Sequence, residues 1–525
     1  MHHEDSLDRK QLMMMNLEQL VSQENVARVI DAFVESLDLK KQGFEKVETK
    51  GTGRRPYHPG DLLKLYLYGY QNSIRSSRKL EVECERNLEM MWLLKGVRPK
   101  YHTIADFRKV HSKPFKEVFR EFVQLLKGWD LIEGETIALD SFKIRAQNSK
   151  DNNYNDKKIK RQLKNIDVKI QEYLDELDRL DKQEDGVSEY QKTQRTQEIL
   201  EKIKDRTNKR QEYEQLQEQL AKSGRSQIST TDPDARSVRV GRGGIQVGYN
   251  VQATADKKHG LLICGDIIEV NDTQALESMA KQSKSIVERD TMDLLADTGY
   301  QNGAQMRACE QDGIITYINP KKSGGSKVDP KYRKEAFNYD EENDCYICPQ
   351  GHTLHTKGNW YQKWAKENGH TYHYKQYKTE ACMSCPVRSL CTEGARGRVI
   401  DRMEYQDVID RNNARVTENE EYYLSRKHII EHIIGTIKRA RGFEYTLLRT
   451  KPKVLGEVHL EFICYNLRRS MSILGAKELI ERLKKAFSLI FSPWRWVRPS
   501  VSILKMLVST EPTVDQVILP NYGRS

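Results

Sequence analysis

Between Tyr249 and Ile318 the hydrophobic period of the chain changes repeatedly, and this confines the fold more than any bulk property. Tyr249–Asp256 alternates apolar and polar residues, the mark of a half-buried strand. Lys257–Gly260 is a turn and Leu261–Val270 a second strand, so the two form a hairpin. A helix begins next, with Asn271 or Asp272 suited to cap it. Met292–Asp297 is a short buried strand, Gly303–Gln311 a helix and Ile314–Ile318 a further strand. Upstream, Thr136–Asp140 has the same character as Met292–Asp297, an apolar run closed by a carboxylate. Strand, hairpin, helix, strand, helix, strand describes an α/β fold around a sheet of mixed strand direction.

Two segments interrupt that order. Ile159, Leu163, Ile166, Ile170, Leu174, Leu177 and Leu180 recur at spacings of three and four, the seam of a coiled coil. Gly186 breaks the pattern, and Leu200, Ile203, Tyr213, Leu216 and Leu220 resume it. Residues 155–225 therefore predict an inserted helical hairpin, whose plain reading is a spacer or an oligomer contact. The second interruption, 321–415, holds two C-x₂-C pairs, Cys345 with Cys348 and Cys382 with Cys385, separated by 33 residues. Paired knuckles of this kind suit tetrahedral Zn²⁺, which would be structural because four protein ligands leave no open position. His352 and Cys391 lie close by in sequence, and reduced thiols in a small subdomain are the alternative.

The flanks are helical. Val26, Val29, Ile30, Phe33, Val34 and Leu37 give an amphipathic pattern, Gly51–Gly60 breaks it, and a helical block runs from Asp61 to about Lys127. Residues 1–130 are expected to form an all-α domain for DNA binding or dimerisation. The sheet core then comprises 131–320 and 416–490, with helices from about Leu455 to Leu474 and Ala476 to Phe487. Residues 491–525 form a tail in which Trp494 and Trp496 are read as packing residues.

A chain of 525 residues is long enough for two to four domains. Its net charge of +11 favours a polyanionic partner. Between Arg426 and Lys505 there are 17 Lys plus Arg against 6 Glu and no Asp, an excess as large as that of the whole chain. No apolar run reaches the ~18–20 residues a membrane span needs. The start, Met1–Asp5, lacks the basic and apolar regions of a signal peptide. Nine cysteines, an odd number, suit reduced thiols in a cytoplasm better than a disulfide framework.

Asp140 and Asp297 each end an apolar run, so their strands are expected to bring two carboxylates together at one edge of the sheet. Buried carboxylates need a partner, and a divalent metal is one. The third candidate is Glu431, on a helix ended by Gly442. At 100° per residue, Tyr423, Lys427, Glu431 and Lys438 fall within an arc of about 80°, which sets a carboxylate among cations that can contact DNA phosphates. Arg426, Arg439 and Arg441 add further cations to this segment.

Taken in order, these pieces resemble the DDE transposases of bacterial insertion sequences, in the branch with a Tyr-Arg-Glu-Lys signature. Within it the chain looks most like the family numbered eleven-eighty-two. The resemblance spans nearly the whole chain. It is carried by His58-Pro59, Ser76-Ser-Arg78, Ala138-Leu-Asp140-Ser-Phe-Lys143, Thr231-Asp-Pro-Asp-Ala-Arg236, Gly248-Tyr-Asn-Val-Gln252, Ala296-Asp297-Thr-Gly-Tyr300, Glu431 to Lys438 and Tyr465-Asn466-Leu467. It implies an RNase H-like mixed-sheet catalytic core with Asp140, Asp297 and Glu431 as ligands for two Mg²⁺ or Mn²⁺ ions. Tyr423, Arg426 and Lys438 match the other signature positions. The signature has three residues between Arg and Glu, whereas four separate Arg426 from Glu431; Lys427 has the usual spacing, so either can fill that position. The implied chemistry is cleavage of double-stranded DNA at element ends and strand transfer into a target, by a homodimer on DNA. The alternatives are a DNA-binding protein of the same fold without catalysis, a nuclease that only hydrolyses, and a coiled-coil scaffold.

Overall fold

A computed structural model describes residues 16–48, 55–182, 189–239, 244–268, 272–321, 328–365 and 370–490. The expected break at Gly186, the cap at Asn271, Trp494, Trp496 and the whole 491–525 tail lie outside the described residues.

The N-terminal part is helical: α1 (Val26–Glu35), α2 (Pro59–Gln71), α3 (Ser77–Arg86), α4 (Leu88–Leu93), α5 (Tyr101–Val110) and α6 (Ser112–Gly128). Local chemistry fixes several starts. The Asn25 side chain accepts from the Ala27 amide ahead of α1, and Pro59 opens α2 where its missing N–H removes no helix bond. On α6, Phe115, Val118, Phe119, Phe122 and Leu126 recur at helical spacing and are all buried.

The sheet follows: β1 (Thr136–Arg145), then a two-residue pair β2 (Asn153–Tyr154) and β3 (Ile228–Ser229) at the root of the hairpin formed by α7 (Asp156–Lys182) and α8 (Glu189–Ser223). Next come β4 (Arg236–Arg239), β5 (Ile245–Asp256), β6 (Leu262–Ile268), α9 (Leu276–Val287), β7 (Met292–Ala296), α10 (Gly303–Gln311) and β8 (Ile314–Ile318). The strand order is β4-β5-β1-β7-β8, with β6 also paired to β5. β5 runs antiparallel to β1 and to β6, whereas β7 is parallel to both β1 and β8. At Gly248 a Cβ would meet the Ile144 carbonyl at 2.1 Å, so β5 approaches the end of β1 as closely as it does only with glycine there.

A second sheet is built from β9 (Asn338–Asp340), β10 (Cys345–Ile347), β11 (Thr353–Thr356), β12 (Tyr361–Ala365), β13 (His370–Lys378) and β14 (Ile400–Met403), with the short α11 (Arg388–Cys391) before β14. It has its own small core of Phe337, Tyr346, Leu354, Tyr377 and Ile400. After α12 (Gln406–Glu418) and α13 (Glu420–Leu424), the chain passes through α14 (His432–Gly435) to α15 (Lys451–Leu474) and α16 (Ala476–Ile490).

The middle of α15, Gly456–Leu467, is buried on all sides, and the helix packs against α6, α2 and β6. Its Asn466 amide accepts from the Leu262 N–H and donates to the Leu262 carbonyl, at 2.9 and 2.8 Å, which closes part of the free edge of β6. One continuous apolar core runs from α1 through the first sheet to α16.

Three expectations change. β1 does not end at Asp140: Phe142 and Ile144 continue its inward alternation, and β5 pairs with it as far as Arg145. Asp272 is not the cap of α9. The cap position is Ala275, and Asp272 opens a 3₁₀ turn instead. Along the coiled-coil hairpin Ile159, Ile166 and Leu220 are buried, but Leu174 and Leu200 are 42% and 51% exposed; in α8 the adjacent Ile199 is the buried residue, one position off the expected phase.

Candidate active site

The parallel register of β1 and β7 pairs Leu139 with Ala296, so Asp140 and Asp297 stand on the next rung of adjacent strands. Neighbouring strands are about 4.8 Å apart. Asp140 is 21% exposed, and its Oδ1 accepts from the Ser141 amide at 2.7 Å. Asp297 leaves the strand exposed and caps a 3₁₀ turn, its Oδ1 accepting from the Thr298 amide at 2.7 Å.

Glu431 arrives from the far side of the sequence. After α13 the helix widens into a π turn over Lys427–Glu431, returns to α in α14 and widens again over Thr436–Ala440. The first π turn absorbs the extra residue between Arg426 and Glu431. Arg426 is 8% exposed; its Nη1 donates to Asp140 Oδ2 at 3.1 Å and its Nη2 to Glu431 Oε1 at 2.7 Å. One guanidinium thus joins two carboxylates that lie 291 residues apart in sequence.

Burial pushes the Asp140 carboxyl up from its ordinary value, Arg426 opposes that shift, and the nearby Asp297 adds to it. The Tyr423 phenol is also pushed up by burial, against the pull of Arg426. Its neighbour Tyr422 donates to Asp293 Oδ2 at 2.7 Å and meets Thr136 Oγ1 at 2.8 Å, pinning α13 to the starts of β7 and β1.

The remaining cations separate. Lys427 and Arg439 are exposed and Lys438 is half-buried. The single helical face expected for Tyr423, Lys427, Glu431 and Lys438 rested on a constant 100° per residue, which the π turns do not keep. Arg441 is no open phosphate contact: it is 9% exposed, ion-paired with the buried Glu461, and donates to the Tyr70 carbonyl at 3.1 Å.

A polar cluster beside Asp140 was not read from sequence. Lys143 Nζ donates to Ser141 Oγ at 2.7 Å and lies 3.4 Å from Asp272 Oδ2. Asp272 Oδ1 accepts from Asn250 at 2.9 Å and Gln252 at 2.8 Å, and Tyr300 donates to Gln252 Oε1. The available signal was two amides, Asn250 and Gln252, on the polar face of an alternating strand.

In the second sheet the expected cysteine set is not gathered as read. Cys348, Cys382, Cys385 and Cys391 line one cavity of about 30 Å³, while Cys345 does not. Cys345 is buried in β10, paired across to Asp340 and His355. The His352 amide donates to Cys348 Sγ at 3.3 Å. Among the described residues no group of three or more His, Cys, Asp or Glu is placed to hold a metal ion. No helix among them is long and apolar enough to cross a membrane.

Residues 15–110 match the family described as Transposase domain (DUF772), and residues 347–471 match the family described as Transposase DDE domain. Both matching families are described as transposase domains. The first takes in α1–α5, and the second takes in β11–β14, Arg426, Glu431 and most of α15; neither reaches half the chain, and Asp140 and Asp297 lie between them. No curated protein matches the chain. Among solved structures, a cryo-EM piggyBac transposase synaptic complex with hairpin DNA aligns over 94% of this chain and 85% of that chain. Its identity is 10% and its TM-score 0.30, too distant a likeness to carry an argument.

Proposed function

We propose that the chain is a DDE transposase that cuts DNA at the ends of an insertion sequence and joins the 3′-hydroxyl ends to target DNA. The observation that carries this reading is the meeting of Asp140 and Glu431 on the Arg426 guanidinium, with Asp297 on the adjoining strand. The two transposase-domain matches support the same reading. In the order β4-β5-β1-β7-β8, the antiparallel pairing of β5 with β4, β6 and β1 beside the parallel strands β1, β7 and β8 supports an RNase H-like core.

The donor chemistry suits divalent cations, although among the described residues the three carboxylates are not gathered into one metal-holding group. Three carboxylates offer hard oxygen donors, and Mg²⁺ is held through only one or two carboxylates per ion, leaving room for phosphate oxygens. Asp140, Asp297 and Glu431 would hold two Mg²⁺ or Mn²⁺ ions, which when bound activate the attacking oxygen and stabilise the leaving one. The protein's part is to fix the carboxylates. β1 and β7 set Asp140 and Asp297, the π turn aims Glu431, and Arg426 holds Asp140 and Glu431 together while lending positive charge close to the reacting phosphate. Double-stranded DNA is the substrate, and a homodimer holding two ends is the form we assign to the active species.

Strand transfer separates this function from that of a nuclease. Given a pre-cut element end with a free 3′-hydroxyl, Mg²⁺ and a target plasmid, the protein is expected to yield covalently joined product. Hydrolysed DNA without joined product favours the purely hydrolytic enzyme, and binding without either product favours a catalytically silent DNA-binding protein.

A further inference from the structure

Resting on that reading, we propose that a basic cleft between the α2–α3 turn and the segment after the Glu431 helix seats a backbone phosphate of the same DNA. The cleft, of about 310 Å³, is walled by Ser73, Arg75, Ser76 and Lys79 on one side and by Arg439 and Arg441 on the other, and among the described residues no carboxylate lines it. The first wall belongs to the segment matching Transposase domain (DUF772), the second to the segment matching Transposase DDE domain.

Its cations are of two kinds. Arg75 and Arg441 are buried and build the walls. Arg75 donates to the Tyr445 and Gly442 carbonyls at 2.7 and 3.3 Å and stacks on the Tyr445 ring, and Arg441 pairs with Glu461. Two guanidiniums against one carboxylate leave positive charge behind the cleft. Lys79 and Arg439 stand exposed at its mouth, and among the described residues neither is held in an ion pair.

The backbone adds to the field. Ser76 precedes α3 without a side-chain capping bond, and the first helical bond runs from the Leu80 amide to the Ser76 carbonyl. The amides of Ser77, Arg78 and Lys79 are therefore not used within the helix, and a helix start with free amides favours an anion. Spacing ties the cleft to the carboxylates. Arg439 follows Glu431 by only eight residues, across the second π turn.

The test measures binding of a fluorescent duplex oligonucleotide by the full chain across a salt series. Wild type, a Lys79→Gln/Arg439→Gln double variant, a coiled-coil control (Lys204→Gln/Lys209→Gln) and Asp297→Ala are compared. One lost phosphate contact lowers the slope of log K against log salt by about 0.9, so the double variant is expected to show that smaller slope and roughly tenfold weaker binding. The control keeps the wild-type slope. An unchanged slope in the double variant, or an equal drop in the control, overturns the cleft. DNA cleavage by Asp297→Ala overturns the functional reading instead, whatever the slopes, so the two failures are distinct.

Discussion

Arg426 donates to Glu431 at 2.7 Å across five residues of chain because the helix between them is a π turn. An α-turn would set i and i+4 on one face and would have chosen Lys427. The widened turn chooses Arg426, buries it, and lets its other arm reach Asp140 at 3.1 Å.

That choice predicts unequal variants. Arg426→Gln removes the one cation shared by Asp140 and Glu431, and DNA-end cleavage should fall by about 100-fold, the scale of losing one preorganised donor. Lys427→Gln, at an exposed position, should stay within about threefold of wild type. A larger loss at Lys427 than at Arg426 would reverse the assignment.

Burial raises the Asp140 carboxyl and Arg426 restrains the rise. The stability sign is the reverse of the usual Asp case. With the folded value above the unfolded one, the contribution is complete below the unfolded value and is lost as pH rises through the raised one. Asp140→Asn, which cannot ionise, should gain on wild type in denaturant unfolding as pH rises towards neutrality. A gap that shrinks over that range would contradict the shift.

Arg441 and Arg439 are two residues apart and should behave as different classes. Arg441→Gln leaves the fully enclosed Glu461 without its partner, a change that destabilises by about 3–5 kcal/mol. Arg439→Gln should alter stability by less than about 0.5 kcal/mol. Denaturation midpoints of the two variants decide, and equal midpoints would show that the pair is not closed in solution.

Cysteine labelling reports on the second sheet. Cys84, Cys264 and Cys464 are buried, with thiols pushed up to about 12 by desolvation. Cys348, Cys382, Cys385 and Cys391 are half-buried around their cavity. Alkylation of the native protein, mapped by mass spectrometry, should reach one or more of these four before the buried three. Labelling of Cys464 first would mean that α15 is not packed as described.

The sequence was most legible where periodicity does the work. The β5–β6 hairpin, β7, α10 and β8 fall where the changes of period put them, because each buries one face or is short and wholly buried. β1 was read five residues short because the run to Asp140 ended on a carboxylate, although Phe142 and Ile144 kept the alternation. The phase of the Glu431 helix was illegible since no residue pattern announces a π turn, and a constant angle per residue misplaces every side chain beyond one. Asp272 was read as a cap because an Asp before a helix usually is one; its actual partners, Lys143, Asn250 and Gln252, come from two other strands. Cys391 entered the cysteine group in place of Cys345 because strand β10 holds Cys345 in its ladder, an arrangement that C-x₂-C spacing does not encode.

The most direct measurement is cleavage of element-end DNA by the full chain in Mg²⁺, comparing wild type with Asp140→Ala, Asp297→Ala and Glu431→Ala. The account predicts Mg²⁺-dependent cutting by wild type and none above background from each variant, with all three variants still folded and binding DNA. Wild-type cutting that survives intact in any one of the three would contradict it.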